Sequence, residues 1–163
     1  MKNPKMPPRP AEPPGAWVLL AAWGPCGYVP VAPGTAGTLG AVPLYLALSR
    51  LPPAAYLGAT LALIALAIPA AARAGRYWRI ADASPIVIDE VVGYLVTMAL
   101  VPFSWPAVLA GFVLFRVLDV TKPWPASTFD RMKSGVGVVM DDVAAGVWGA
   151  AALYGLRALG VLP

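Results

Sequence analysis

Long apolar stretches alternate along this chain with short polar or proline-containing segments. Runs with the alternating apolar and polar residues of a half-buried strand are scarce, whereas several apolar runs are as long as helices. We therefore predict an all-α fold, a bundle of about five helices. The predicted helices are Thr35–Ser49, Pro53–Ala72, Asp89–Val101, Pro106–Val120 and Val138–Leu159.

Length separates these predicted helices into two groups. Crossing a bilayer takes about 20 apolar residues, and only the second and fifth helices reach that length comfortably. The first, third and fourth are marginal, so we expect some of them to be re-entrant, tilted or packed against neighbouring helices. The pattern thus predicts an integral membrane bundle with several marginal or re-entrant spans.

Composition strengthens the membrane interpretation. The 163 residues are 59% hydrophobic and only 12% charged, whereas soluble domains contain about 25% charged residues. The length suits one domain, which we place at residues 16–163. Residues 1–15 are rich in proline and basic residues and are predicted to be a disordered tail.

Lysine and arginine are distributed unevenly between the predicted loops. If all five helices cross the membrane, ten basic residues lie on one side and only two, Arg50 and Arg157, lie on the other. Cytoplasmic loops carry an excess of such residues, so the first side is predicted to be cytoplasmic in a multi-pass membrane protein. No continuous basic face indicates nucleic-acid binding. The ten residues are Lys2, Lys5, Arg9, Arg73, Arg76, Arg79, Arg116, Lys122, Arg131 and Lys133.

Two residue types that often carry catalysis are nearly missing. The chain has no histidine and a single cysteine, Cys26, which has no arginine at the spacing of a cysteine phosphatase loop. Histidine triads, histidine phosphoenzymes and metal sites built on histidine or several cysteines are therefore excluded. A metal here would be bound by oxygen, which favours a hard cation such as Mg²⁺.

Four chemically unusual segments lie at the predicted cytoplasmic ends of helices. They are PGTAGTL (33–39), IVIDEVVG (86–93), FRVLDVTKPWP (115–125) and GVGVVMDD (135–142). Because these ends share one side of the membrane in the predicted topology, we expect the segments to meet at one depth and to form one site.

Acidic residues within these segments are the strongest chemical signal. Carboxylates at membrane depth are costly and usually functional, and a divalent cation would offset the repulsion between them. We therefore predict a metal site. Helix capping by one acid of each pair, and an ion pair of the lone aspartate with Arg116 one turn earlier, are the alternatives. The acids are Asp89-Glu90, Asp141-Asp142 and Asp119.

Phosphate ligands are the natural complement of such a site. Arg116 and Lys122 lie in the same segments and suit phosphate contacts, although basic residues also extend to membrane interfaces without a ligand. Thr35 and Thr38 belong to a small-residue turn into a helix, a common feature that offers hydroxyl and N–H donors. Together with the acids, these residues indicate metal-assisted hydrolysis of a phosphate ester at a lipid–water boundary.

Two further aspartates receive structural interpretations. Asp82 begins the sequence Asp-Ala-Ser-Pro, which is typical of an Asx turn. Asp130 directly precedes Arg131, so a local ion pair accounts for its charge. Neither residue is predicted to contribute directly to the site.

Four longer stretches, PGTAGTLGAVP, IVIDEVVG, FRVLDVTKPWPASTFDR and GVGVVMDDVAAG, resemble in this order the phosphatidylglycerophosphatase A family. The resemblance covers about residues 31–153, with Leu118 standing where an aromatic residue is common. It implies an all-α fold shared with soluble relatives. It also implies a Mg²⁺-dependent phosphatase of the bacterial inner membrane that converts phosphatidylglycerophosphate to phosphatidylglycerol and phosphate.

The resemblance also implies residue roles, without deciding which carboxylate is the general base. The catalytic carboxylates would be Asp89, Glu90, Asp119, Asp141 and Asp142. The metal ligands among them would be Asp89, Glu90, Asp141 and Asp142. The phosphate contacts would be Thr35, Thr38, Arg116 and Lys122.

Two other classes of membrane protein remain as alternatives. In a small transporter or ion-coupled carrier, intramembrane acids relay ions, but here the acids lie on one side and nothing lines a path across. In a membrane scaffold, the acids would simply pair with the basic residues. The oligomeric state is open at this stage.

Overall fold

A computed structural model describes residues 13–163, so most of the predicted tail, residues 1–12, lies outside the described residues. The described part of the chain contains α-helices and one 3₁₀ turn, Cys26–Tyr28, and has no β-strand. The all-α prediction is therefore confirmed. The helices are α1 (Ala16–Ala21), α2 (Pro33–Leu48), α3 (Pro53–Trp78), α4 (Ile88–Thr97), α5 (Trp105–Thr121), α6 (Ala126–Asp130) and α7 (Gly135–Ala158).

Seven helices, rather than about five, make up the described chain. The two additional helices, α1 and α6, have 6 and 5 residues, and such short helices depend on tertiary packing rather than on their own sequence. Helix α3 also extends to Trp78, beyond the predicted end at Ala72, because the alanine-rich segment continues the helix past Pro69.

Helix α4 forms the centre of the fold. It packs against α2, α3, α5 and α7, and every residue from Ile88 to Leu95 is buried. Its 10 residues span about 15 Å at 1.5 Å per residue. It is therefore a short enclosed helix, and the marginal span predicted at Asp89–Val101 is a packed element of the interior.

Glycine allows α4 and α7 to approach each other closely. A Cβ atom added to Gly146 of α7 would lie 2.5 Å from the carbonyl oxygen of Gly93 in α4. A Cβ atom added to Gly93 would lie 2.8 Å from the carbonyl oxygen of Asp142. Since backbone atoms occupy both positions, only glycine fits there without displacing a helix, and this close packing brings the acids of the two helices together.

Two of the described helices, α3 and α7, are long and apolar enough to cross a membrane by length and composition. The apolar part of α3 is mostly exposed, whereas that of α7 is mostly buried inside the fold. They correspond to the second and fifth predicted helices, the two that met the length criterion in the sequence.

Helix direction brings the four polar segments to one end of the bundle. Helices α2, α4 and α7 begin at this end and α5 finishes there, with Lys122 at its C-cap. Lys122 has a φ of 46°, a left-handed conformation that non-glycine residues adopt infrequently. This turn ends α5 and directs the chain towards α6 and α7.

Candidate active site

Three carboxylates from two helices form a buried cluster at this end. Asp89 and Glu90 lie in the first turn of α4, and Asp142 lies in the second turn of α7. One carboxylate oxygen from each residue lies within 4.8 Å of the other two. Each residue is at most 2% exposed, so three acidic side chains share a space from which water is largely excluded.

The donor set of this cluster fits a hard divalent cation. Oxygen ligands are those that Mg²⁺ prefers, and buried carboxylates need a cation or hydrogen bonds to remain charged. The Oδ2 atom of Asp142 is buried and has no hydrogen-bond partner among the described residues. The N-cap residue of α4 is Val87, so both acids lie inside the first turn, where the positive end of the helix dipole favours their charge.

Asp141 pairs with a lysine and is not one of the three clustered carboxylates. Its Oδ2 atom accepts a short hydrogen bond from the ammonium group of Lys122, and its Oδ1 atom accepts one from the backbone N–H of Asp142 at 2.8 Å. The same ammonium group lies 2.8 Å from Oδ1 of Asp130. Lys122 therefore connects α7 with α6 beside the carboxylate cluster.

Electrostatics keep Lys122 charged at this position. Burial by itself lowers its pKa, but the negative charge of Asp141 and the hydrogen bonds to Asp130 and Asp141 outweigh burial and hold the pKa above the usual lysine value. Burial alone would likewise raise the pKa of Asp130, but its hydrogen bond with Lys122 and the charge of that lysine hold the pKa below the usual value. Lys122 is thus a permanent cation at neutral pH.

Arg116 supplies a second cation beside the cluster. Its Nη1 atom lies 2.7 Å from Oδ2 of Asp119, one turn later in α5, and 4.0 Å from Oε1 of Glu90 in α4. The predicted ion pair with Asp119 is therefore present. Because the guanidinium also reaches the cluster, the pair is part of the site and not only a local contact on one helix.

A cavity of about 390 Å³ opens beside these residues, a size typical of small-ligand sites. Glu90, Arg116, Asp119 and Lys122 line it together with the start of α2. Gly34 makes this approach of α2 possible, because a Cβ atom added there would collide with Oε1 of Glu90. The cavity therefore combines two cations with one acid of the cluster. The other residues along its wall are Pro30, Val31, Ala32, Pro33, Asp82, Ser84, Val120 and Asp130.

Comparison with known proteins agrees with this arrangement. The phosphatidylglycerophosphatase A family matches residues 19–157, a range that contains every side chain of the cluster and both cations. The chain belongs to the phosphatidylglycerophosphatase A family. It is accordingly an enzyme, a phosphatase of phospholipid synthesis.

Individual proteins are also similar to this chain, two of them over most of its length. Phosphatidylglycerophosphatase A of Escherichia coli is 37% identical over 140 residues, 85% of this chain and 81% of the relative. A Bacteroides thetaiotaomicron protein described as a candidate phosphatidylinositol-3-phosphatase is 41% identical over 80% of this chain and 87% of its own length. Phosphatidylglycerophosphatase A of Haemophilus influenzae is 37% identical over 47% of this chain and 48% of its own length. No solved structure matches the chain.

Two of the residues predicted to contact phosphate, Thr35 and Thr38, lie away from the cavity wall of this phosphatase. The Thr38 hydroxyl is buried and donates to the carbonyl oxygen of Gly34 at 2.9 Å, within α2. Thr35 is half-buried in the first turn of the same helix. Neither threonine lines the cavity, whereas Arg116 and Lys122 both do. The phosphate role of the threonines stays a prediction.

Two cavity residues were given only structural interpretations from the sequence. Asp130 was assigned to Arg131, but the structure pairs it with Lys122 at 2.8 Å, because the turn after α5 folds α6 back beneath the lysine. Asp82 was assigned to a turn, but it also lines the cavity. Asp130 lies inside one of the stretches that resemble the family, and Asp82 lies four residues before another, but acidic character alone is too general to assign either residue to the site.

Proposed function

We propose that the protein is a Mg²⁺-dependent lipid phosphatase that hydrolyses phosphatidylglycerophosphate to phosphatidylglycerol and phosphate at the cytoplasmic face of a bacterial inner membrane. The observation that carries the proposal is the buried cluster of Asp89, Glu90 and Asp142 directly beside a cavity with two cations. The family membership indicates the class of substrate, and the converging carboxylates are the reason for proposing a metal ion.

Asp89, Glu90 and Asp142 are proposed to hold the ion, since they are the acids whose oxygens converge. When bound, Mg²⁺ polarises the phosphoryl oxygens and offsets their negative charge. Asp141, which was predicted as a fourth ligand, is instead proposed to orient Lys122, its ion-pair partner. The carboxylates are thereby divided into metal ligands and positioning residues.

Arg116 and Lys122 are proposed to hold the phosphate in the cavity. Arginine can donate two parallel hydrogen bonds to phosphate oxygens, and lysine acts as a point charge. Asp119 fixes the guanidinium from the same helix at 2.7 Å, while Asp130 and Asp141 fix the ammonium group from two other helices. The phosphate therefore meets cations that are already oriented, which lowers the entropic cost of binding.

Exposed apolar side chains support a membrane location. Helix α5 presents a stripe of five such residues spaced one turn apart, each more than half exposed, and α3 adds further exposed leucines. The basic residues around the end of α3 and the start of α7 lie at the same end as the acids. This arrangement agrees with a cytoplasmic site facing anionic lipid. The residues of the α5 stripe are Trp105, Leu109, Val113, Val117 and Val120.

Phosphate release from phosphatidylglycerophosphate in detergent micelles tests the proposed activity. The purified protein is assayed with Mg²⁺, with EDTA and as the Asp142→Asn variant, with Glu12→Gln as an acid-neutralising control outside the family match. Release should require Mg²⁺ and fall more than about a hundredfold in Asp142→Asn, since a metal contributes several kcal/mol to such transition states. No release from folded protein saturated with Mg²⁺ would refute the proposal, and ion flux in liposomes would then test the transporter alternative.

Metal binding is testable without turnover. Mn²⁺ can replace Mg²⁺ at oxygen sites, and the loss of the sharp electron paramagnetic resonance signal of free Mn²⁺ measures how much ion is bound. The wild type and Glu12→Gln should bind Mn²⁺ in competition with Mg²⁺, whereas Asp142→Asn should bind at least about tenfold more weakly because it loses one charged ligand. Equal Mn²⁺ binding by all three proteins would show that the carboxylate cluster is not the metal site.

A further inference from the structure

Asp82 faces the substrate cavity from a segment that the proposed chemistry does not use. It lies in the loop between α3 and α4 and lines the cavity together with Glu90, Arg116 and Lys122. Its Oδ1 atom is buried and has no hydrogen-bond partner among the described residues. An acceptor left without a donor is unfavourable, so this carboxylate, which is only partly buried in the cavity wall, calls for a donor from a bound ligand.

The charges in the cavity determine which kind of donor can reach Asp82. Arg116 is paired with Asp119 and Glu90, and Lys122 is paired with Asp130 and Asp141. Both cations are therefore already paired with neighbouring carboxylates, and both are proposed to attract the phosphate. Asp82 itself repels phosphate oxygens, because both carry negative charge. A neutral hydroxyl is the group that satisfies an aspartate oxygen inside a phosphate-binding cavity.

The proposed substrate carries one such group. Its terminal glycerol forms a phosphate ester at each end, so a single free hydroxyl remains, on the carbon next to the one that bears the scissile phosphate. This hydroxyl must enter the same cavity as the phosphate. Phosphatidate, which is also a lipid phosphate monoester, has no free hydroxyl near its phosphate.

We propose that Asp82 forms a hydroxyl-binding subsite that accepts a hydrogen bond from the free hydroxyl of the terminal glycerol and thereby selects hydroxyl-bearing headgroups over phosphatidate. The inference rests on the proposed function and deepens it by naming the group that distinguishes the substrate. A polar site built to pair with a substrate hydroxyl discriminates strongly against an analogue that lacks it. Asp82 is a specificity residue here and takes no part in bond cleavage.

The test compares two substrates that differ only in that hydroxyl. The first is phosphatidylglycerophosphate and the second is its analogue with a propane-1,3-diol phosphate headgroup. The wild type should prefer the first by about ten- to a hundredfold in kcat/KM, the range expected for a hydrogen bond to a charged group. Asp82→Ala should reduce this ratio to near one while keeping activity on the analogue within about threefold of the wild type. Asp82→Asn, which retains an acceptor oxygen, should keep part of the preference.

Each outcome decides a different point. If the wild type hydrolyses both substrates equally well, or if Asp82→Ala loses activity on both equally while its melting temperature is unchanged, the hydroxyl subsite is refuted and the proposed function stands. If Asp82→Ala does not fold, Asp82→Asn decides. The subsite is also refuted if the folded Asp82→Asn variant keeps the full substrate preference of the wild type and the wild type hydrolyses phosphatidate as well as phosphatidylglycerophosphate. If the wild type hydrolyses neither substrate with Mg²⁺ present, the proposed function fails and the inference fails with it.

Discussion

Lys122 shows how a single residue connects the parts of the site. Its backbone ends α5 in a left-handed conformation, and its ammonium group holds Asp130 of α6 and Asp141 of α7. A cation in this position keeps a buried carboxylate charged and, under the proposed function, attracts the phosphate. The sequence predicts Lys122 as a phosphate contact, and the structure adds the two acids that hold it.

Replacement of Lys122 by methionine should impair activity and stability together. We expect kcat/KM for phosphatidylglycerophosphate to fall at least about tenfold, because a hydrogen bond to a charged group contributes about 1.5–3 kcal/mol. The melting temperature should also fall, since Asp141 would be left buried beside an apolar side chain. Steady-state kinetics and thermal unfolding in detergent measure both effects. Lys122→Arg keeps the charge and serves as the matched variant; equal kinetics for Lys122→Met and wild type would exclude a phosphate role.

A second prediction at the scale of a single residue concerns Gly34. A Cβ atom there would collide with Oε1 of Glu90 and lie 3.2 Å from Nη1 of Arg116, so Gly34→Ala should displace the side chains of the site and lower kcat/KM at least about tenfold. Gly58→Ala is the control, because a Cβ atom on that exposed part of α3 meets nothing within 4 Å. Glycine to alanine in an open helix position stabilises by about 0.5–1 kcal/mol, so the control should remain fully active. Equal activity of both variants would contradict the described contact.

At the scale of elements, α4 is the helix on which the site depends. Its amino-terminal turn carries two acids, and its buried sides contact α1, α2, α3, α5 and α7. The sequence predicted this helix and its start correctly, since IVIDEVVG combines apolar residues with two acids in the first turn. Its length and enclosure could not be predicted, because an apolar run reads the same whether lipid or protein surrounds it.

The contact between α4 and α7 should tolerate no added methyl group. Gly146→Ala would place a Cβ atom 2.5 Å from the Gly93 carbonyl oxygen, and relieving such overpacking costs about 1–3 kcal/mol. We expect a clearly lower melting temperature and weaker Mn²⁺ binding, because Asp142 would move relative to Asp89. Gly155→Ala, in the same helix and with nothing within 4 Å, should change neither quantity. A stable Gly146→Ala variant would show that the helices are farther apart than described.

At the scale of the whole molecule, the apolar exterior and the polar end define an orientation. Within residues 13–163, most basic residues lie at the same end of the bundle as the site, while Arg50, after α2, and Arg157, near the end of α7, lie at the other. In a membrane, this asymmetry predicts that the site opens towards the cytoplasm.

Single cysteines can measure this orientation. Cys26 is the only cysteine, so Cys26→Ala provides a cysteine-free background. In cells with a permeabilised outer membrane, a membrane-impermeant maleimide should label Arg50→Cys and should not label Lys133→Cys, although both positions are exposed. Detergent should make Lys133→Cys reactive. Protection of both positions before detergent would contradict the proposed spanning arrangement, and labelling of both would contradict the proposed orientation.

The sequence by itself determined the all-α class, the four polar segments and most of the acids and both cations that gather at one end of the bundle, because helix formation and side-chain chemistry follow from local residue patterns. Only the tertiary structure decided how these groups are paired. It joined Asp142 to Asp89 and Glu90, gave Asp141 to Lys122, and brought Asp82 to the cavity wall. Such pairings depend on the rotation and separation of helices, which distant glycines and packed side chains set, and no local pattern encodes them.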